Sequence, residues 1–145
     1  MHNFRKLEVY VKGLEAVGEV YKLTKNLPKG ELFGLTSQLR RAVTSIGLNI
    51  AEGSGCGSNK EFSRFLSNAL RSKHEVIACQ DISLKLSYTH NEKIKDLELK
   101  LEEISSMIIG LGRSLKKENE DFVCLLFFCN FLLPITLKIE ESWFN

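Results

Sequence analysis

Apolar residues recur at helical spacing along most of the chain, and nowhere do they alternate with period two. Leu7, Val11, Leu14, Val17 and Tyr21 stand three or four apart and predict an amphipathic helix over residues 4–25 with these five on its buried face. Asn26-Leu27-Pro28 stops it. Pro28 suits a first helical turn, and the stripe Leu32, Leu35, Leu39, Val43, Ile46, Ile50 predicts a second helix from near Pro28 to Gly53. Residues 53–58 read Gly-Ser-Gly-Cys-Gly-Ser, a loop whose three glycines open backbone angles closed to other residues. Ser58 and Glu61 have the spacing of a capping box, in which the hydroxyl accepts from a first-turn amide and the carboxylate reaches back to the cap. A third helix is predicted from there to near Tyr88, turning Phe62, Phe65, Leu66, Ala69, Val76 and Ile77 inward. Thr89 and Glu92 repeat the box and open a fourth helix, whose Ile94, Leu97, Leu101, Ile104, Ile108, Leu111 and Leu115 alternate strictly between spacings of three and four.

Sustained 3,4 spacing suits near-parallel, left-handed helix packing. Four such helices with short connections predict an all-α fold, an antiparallel up-down four-helix bundle over residues 1–121. Residues 122–137 break the pattern, since they hold no charge and no polar face, and they mark 122–145 as an additional apolar C-terminal segment. As a helix these sixteen residues reach about 24 Å, short of a hydrocarbon core of about 30 Å, and Asn130 and Pro134 interrupt them, so a membrane span is disfavoured. Two readings stay open: an extra element packed on the bundle or on a subunit interface, which is preferred, and an extension that is poorly folded or not native to the domain. Left exposed, so apolar a tract is an aggregation hazard.

Composition adds bounds. With 145 residues, 43% of them apolar, the chain can bury a real core and needs neither disulfide nor structural metal. Twenty basic against 18 acidic residues leave a net charge of +2, so any basic surface must come from placement rather than from bulk charge. Cys56, Cys79, Cys124 and Cys129 form no C-x-x-C pair and have no histidine at zinc-finger spacing, so no metal site is expected. The charged opening Arg5-Lys6-Leu7-Glu8 is not a secretion signal, which points to the cytoplasm and to reduced thiols.

Placement does produce a basic surface. On a wheel of about 100° per residue Lys60, Arg64 and Arg71 fall close together, opposite the Phe62, Ala69 and Val76 face. Arg41 lies nearly opposite the apolar stripe of the second helix, and Arg40 lies on its flank. Guanidinium groups offer paired donors to phosphate and stack on unpaired bases. The plainer reading is a solvated outer face, since Glu61, Glu75 and Asp81 interleave. Asn49, Glu52, Gly53, Ser58 and Glu61 flank the glycine loop and read as a structural motif, with Glu52 capping locally or pairing with Arg41 or Arg64. No nucleophile stands with an ordered base, the loop lacks a P-loop lysine, and Cys56 has no adjacent histidine, so neither catalytic residues nor a cofactor are expected. Lys73 falls near the apolar centre of its helix, either snorkelling to the core edge or meeting an acid across a subunit interface. Tyr10 and Tyr21, on the flanks of the first stripe, read as packing groups.

Four separated runs carry a family resemblance: Phe4-Arg5-Lys6-Leu7-Glu8-Val9, Leu35-Thr36-Ser37-Gln38-Leu39-Arg40-Arg41-Ala42, Asn49-Ile50-Ala51-Glu52-Gly53-Ser54-Gly55 and Glu61-Phe62-Ser63-Arg64-Phe65-Leu66. Over residues 4–117 the chain resembles the four-helix-bundle proteins encoded in intervening sequences of 23S ribosomal RNA genes. The resemblance implies an antiparallel bundle assembled as a homopentamer, and a kinship with accessory proteins of diversity-generating retroelements, which partner nucleic acid and reverse transcriptase. Cys56 departs from the basic residue common in the family's loop, Gly47 from a common proline, and Arg71 and Lys73 from small or apolar residues. The expectation is a non-catalytic ring that binds RNA or a ribonucleoprotein through Arg40, Arg41, Lys60, Arg64 and Arg71. Its rival is a scaffold without nucleic-acid affinity that docks a partner protein through exposed helix faces or the apolar tail; anchoring to a membrane by that tail is a weaker third.

Overall fold

The computed structural model describes the backbone of residues 3–141 and the side chains of residues 3–92 and 94–117. The expected boundary near residue 121 and the apolar segment beyond it lie outside the described side chains. Four helices follow one another, α1 (Glu8–Thr24), α2 (Leu35–Ser54), α3 (Asn59–Lys85) and α4 (Asn91–Glu141). Each packs on the next and α1 closes against α4, the up-down bundle the periodicity predicts, with no strand among the described residues. Leu39, Val43, Ile46 and Ile50 of α2 meet Phe62, Leu66, Ala69 and Val76 of α3 and Leu97, Leu101, Ile104, Ile108 and Leu115 of α4 in one buried core.

The first helix is rotated from its expected setting. Its core face is the smaller set Val9, Gly13, Ala16, Val20 and Leu23, while Leu14 is 51% and Val11 45% exposed. Two features set this rotation. Lys12 and Glu15 pair with Glu103 and Lys100 of α4 at 3.1 and 3.3 Å, fixing one flank. On the other, Gly13 and Gly47 let α1 and α2 approach until a Cβ on Gly13 would stand 4.0 Å from the Gly47 Cα. Gly47 thus stands at a helix crossing.

Several boundaries also move. A 3-10 turn, Phe4–Lys6, precedes α1 because Asn3 Oδ1 accepts from Arg5 N–H and Leu7 is extended. The second helix starts at Leu35 rather than near Pro28. Pro28 leads only a short 3-10 turn, Lys29–Glu31, and Glu31 Oε2 accepts from Leu35 N–H at 3.1 Å, so the carboxylate caps α2 and leaves Phe33 in solvent, 92% exposed. No glycine among the described residues has a positive φ, so the 53–58 loop does not use the freedom expected of it. α2 runs one residue past Gly53, to Ser54.

α3 ends three residues before Tyr88. Ser87 is left-handed at φ 57°, Tyr88 N–H donates to Ser83 O and Ser87 N–H to Leu84 O at 2.9 Å each, a Schellman closure with serine where glycine is usual. Ser87→Gly is expected to stabilise the fold by about 1 kcal/mol, read as a higher urea midpoint at unchanged slope. The second capping box does not form: α4 begins at Asn91, and the buried Thr89 hydroxyl has no partner among the described residues. Lys73 is 4% exposed, and its Nζ meets Glu102 of its own α4 at 2.5 Å, so its partner is intramolecular rather than across a subunit interface.

Candidate nucleic-acid interface

The basic surface is positioned from the start of α3. Ser58 Oγ accepts from Glu61 N–H at 3.2 Å, the expected cap, which sets the helix phase and turns Lys60, Arg64 and Arg71 to solvent along one face. Arg64 lies over the Phe65 ring at 5.3 Å, a cation–π contact that holds the guanidinium on the surface. Arg41 is exposed on α2. Ser72 Oγ meets Ser45 Oγ at 2.9 Å and the Gln38 side chain meets the Glu75 carboxylate, so these two cross-links bracket Arg41 and set it against residues 72–75 of α3, the turn that follows Arg71.

The described ion pairs join Lys12 to Glu103, Lys22 to Glu19, Lys73 to Glu102 and Lys100 to Glu15. Among the described residues, therefore, Arg41, Lys60, Arg64 and Arg71 have no carboxylate partner. Residues 62–74 contain no Asp or Glu at all, and Glu75, the first acid after them, is engaged by Gln38. The interleaved acids Glu61, Glu75 and Asp81 form no ion pair with the stripe among the described residues.

Other expected residues have structural work. Arg40 is half-buried, its Nε donates to Thr24 Oγ1 at 2.9 Å and its guanidinium covers the Tyr21 ring at 4.6 Å, so it clamps α1 to α2. Tyr21 is thereby a packing group, as is Tyr10, edge-on to Phe4 at 4.9 Å. Asn49 Nδ2 donates to Ser45 O and Oγ at 2.8 and 3.0 Å, joining the α2–α3 cross-link. Glu52 makes no ion pair with Arg41 or Arg64; its carbonyl accepts from Gly55 N–H instead. Gly53 sits where α2 touches α3, with a Cβ there 2.5 Å from Phe62. Cys56 Sγ donates to Glu52 O at 3.6 Å, and burial pushes the Cys79 thiol above its usual range, away from nucleophile chemistry. Among the described residues no cluster of His, Cys, Asp or Glu could hold a metal, and no helix is long and apolar enough to cross a membrane.

Two cations escaped the sequence reading. Arg113 and Lys116 of α4 stand beside Ser63 and Ser67 of α3, and residues 104–117 also lack Asp and Glu. The signal was the acid-free run, masked by the strict leucine and isoleucine repeat through it.

Fold and surface together define an all-α four-helix bundle with an unpaired cationic face. The chain belongs to the 23S rRNA-intervening sequence protein family, whose model matches residues 5–110. It is similar to the crystal structure of a protein of unknown function from the S23 ribosomal protein family of Bacteroides thetaiotaomicron, with 27% identity and a TM-score of 0.66, over 72% of this chain and 97% of that one. No curated protein matches.

Proposed function

We propose that this chain is a non-catalytic, ring-forming bundle of the cytoplasm that binds RNA, ribosomal RNA first, or a ribonucleoprotein partner. The observation that carries the reading is the exposed set Arg41, Lys60, Arg64 and Arg71, cations without a carboxylate partner among the described residues, with Arg64 and Arg71 on a stretch that has no acid from 62 to 74. The family's description, a protein of the 23S rRNA intervening sequence, supports the choice of RNA. Phosphate contact by these side chains gives shape-dependent, weakly sequence-specific recognition, and a ring repeats the face around its axis. Anisotropy titration of structured ribosomal RNA fragments at two salt concentrations tests it. Affinity should fall steeply with salt, and Arg41→Ala with Arg64→Ala should weaken it about tenfold and reduce the salt slope by roughly 1 per lost phosphate contact. Affinity indifferent to salt or to both substitutions excludes phosphate binding by this face.

The ring, a homopentamer by family resemblance, needs an apolar seam. The outer face of α1 supplies one in Val11 and Leu14, and Leu48 of α2, 60% exposed, is a further apolar group on the outer surface. Leu14→Glu is expected to reduce the mass in light scattering from a multiple of 16.5 kDa to the single chain with helix content unchanged. An unaltered mass places the seam elsewhere.

A further inference from the structure

A groove of about 260 Å³ runs between α3 and α4, apart from Arg41. Its floor is aliphatic, with Leu66 and Ile108 buried at the base and Ile109 43% exposed above them. Ser63, Ser67 and Gly112 keep its walls low, so another backbone can come close. No aromatic ring lines it; the Phe65 ring lies under the Arg64 guanidinium at 5.3 Å, outside the groove's lining. A nucleic-acid base therefore finds no stacking platform there.

Charge gives the groove its sign. The facing stretches 62–74 and 104–117 contain no Asp or Glu; of the acids that border them, Glu102 and Glu103 pair with Lys73 and Lys12, and Glu61, Glu75 and Glu118 lie in sequence beyond the residues that line the groove. Arg113 and Lys116 are exposed on the groove's edge. An aliphatic floor with low walls and a cationic edge complements a helix whose apolar stripe is flanked by carboxylates. RNA phosphates would satisfy the edge and leave the floor in water. We propose that the α3–α4 groove docks an acidic amphipathic helix of a partner protein, its leucine-type stripe on Ile109 and its carboxylates on Arg113 and Lys116.

The probe is a labelled helical peptide with a leucine stripe flanked by glutamates, titrated into the full chain by anisotropy. Saturable binding is expected, weakened about tenfold by Arg113→Glu with Lys116→Glu and recovered when lysines replace the peptide's glutamates. Gly112→Leu, which fills the groove, should remove binding of both peptides, with circular dichroism confirming the fold. Equal binding of a scrambled peptide, or binding unmoved by the charge-reversed pair, overturns the proposal. So does displacement of the peptide by structured RNA at lower concentration than by unlabelled peptide, which makes the groove a phosphate surface, or a change in oligomeric mass on charge reversal, which makes it an interface between copies. The RNA reading is tested at Arg41 and Arg64, outside this groove, so the two fail separately.

Discussion

Replacing Gly53 with alanine is expected to destabilise the bundle by about 2–3 kcal/mol, a fall in Tm of roughly 5–10 °C. In an exposed helix interior the same change gains up to about 1 kcal/mol, because alanine restricts the unfolded chain and favours the helix. At Gly53 the sign reverses. The new Cβ would stand 2.5 Å from Phe62 Cδ2 and 2.8 Å from Phe65 Cβ, and Phe62, 1% exposed, has no free volume to retreat into. The strain must open the α2–α3 seam, which carries the Ser45–Ser72 link. Gly110→Ala, at an exposed helical position with nothing within 4 Å of the added carbon, is the matched control and should be neutral or stabilising. Phe62→Leu in the Gly53→Ala background should recover part of the loss, a coupling of about 1 kcal/mol or more in a double-mutant cycle by urea unfolding at fixed protein concentration. A stable Gly53→Ala protein without that coupling would mean that the close approach is not required.

This contact explains what could and could not be read from the chain. The stripes of α2, α3 and α4 were legible because large aliphatic residues occupy one face only. α1 was misread because both of its faces are apolar, and the buried one uses Gly13 and Ala16, which score weakly as core but permit the approach to Gly47. Glycines 53–57 looked like a conformational device; the positive φ they permit is unused, and Gly53 matters for distance instead. The two capping boxes had equal spacing, yet Ser58 caps and Thr89 does not, because the Schellman closure at Ser87 fixes where the chain re-enters a helix. At the site, charge on a wheel found Lys60, Arg64 and Arg71. It could not show that Arg40 is spent on Thr24 and Tyr21, or that Arg113 and Lys116 come beside α3, since both depend on which helices are neighbours.

The same limit hid Gln80, which should give a large gain on substitution. Gln80 is 0% exposed on the core face of α3, one turn from Val76, and neither Nε2 nor Oε1 has a partner among the described residues. The other buried polar groups on that helix are answered: Ser72 by Ser45, Ser83 by the Cys79 carbonyl and Lys73 by Glu102. A buried, unpaired polar group costs about 1–3 kcal/mol, and methionine matches glutamine in length and flexibility. Gln80→Met is therefore expected to raise stability by about 2 kcal/mol, visible as a higher urea midpoint with unchanged slope. Gln80→Glu supplies the opposite arm. Its carboxyl, unable to ionise cheaply in the core, should have a folded pKa above the unfolded value of about 4.3, so the variant keeps its stability below that pH and loses it as pH rises. A loss of stability in Gln80→Met, or a pH-independent Gln80→Glu, would show that the amide is hydrogen-bonded in solution, most simply by a buried water. The core would then be specified at this layer by a polar link rather than burdened by one.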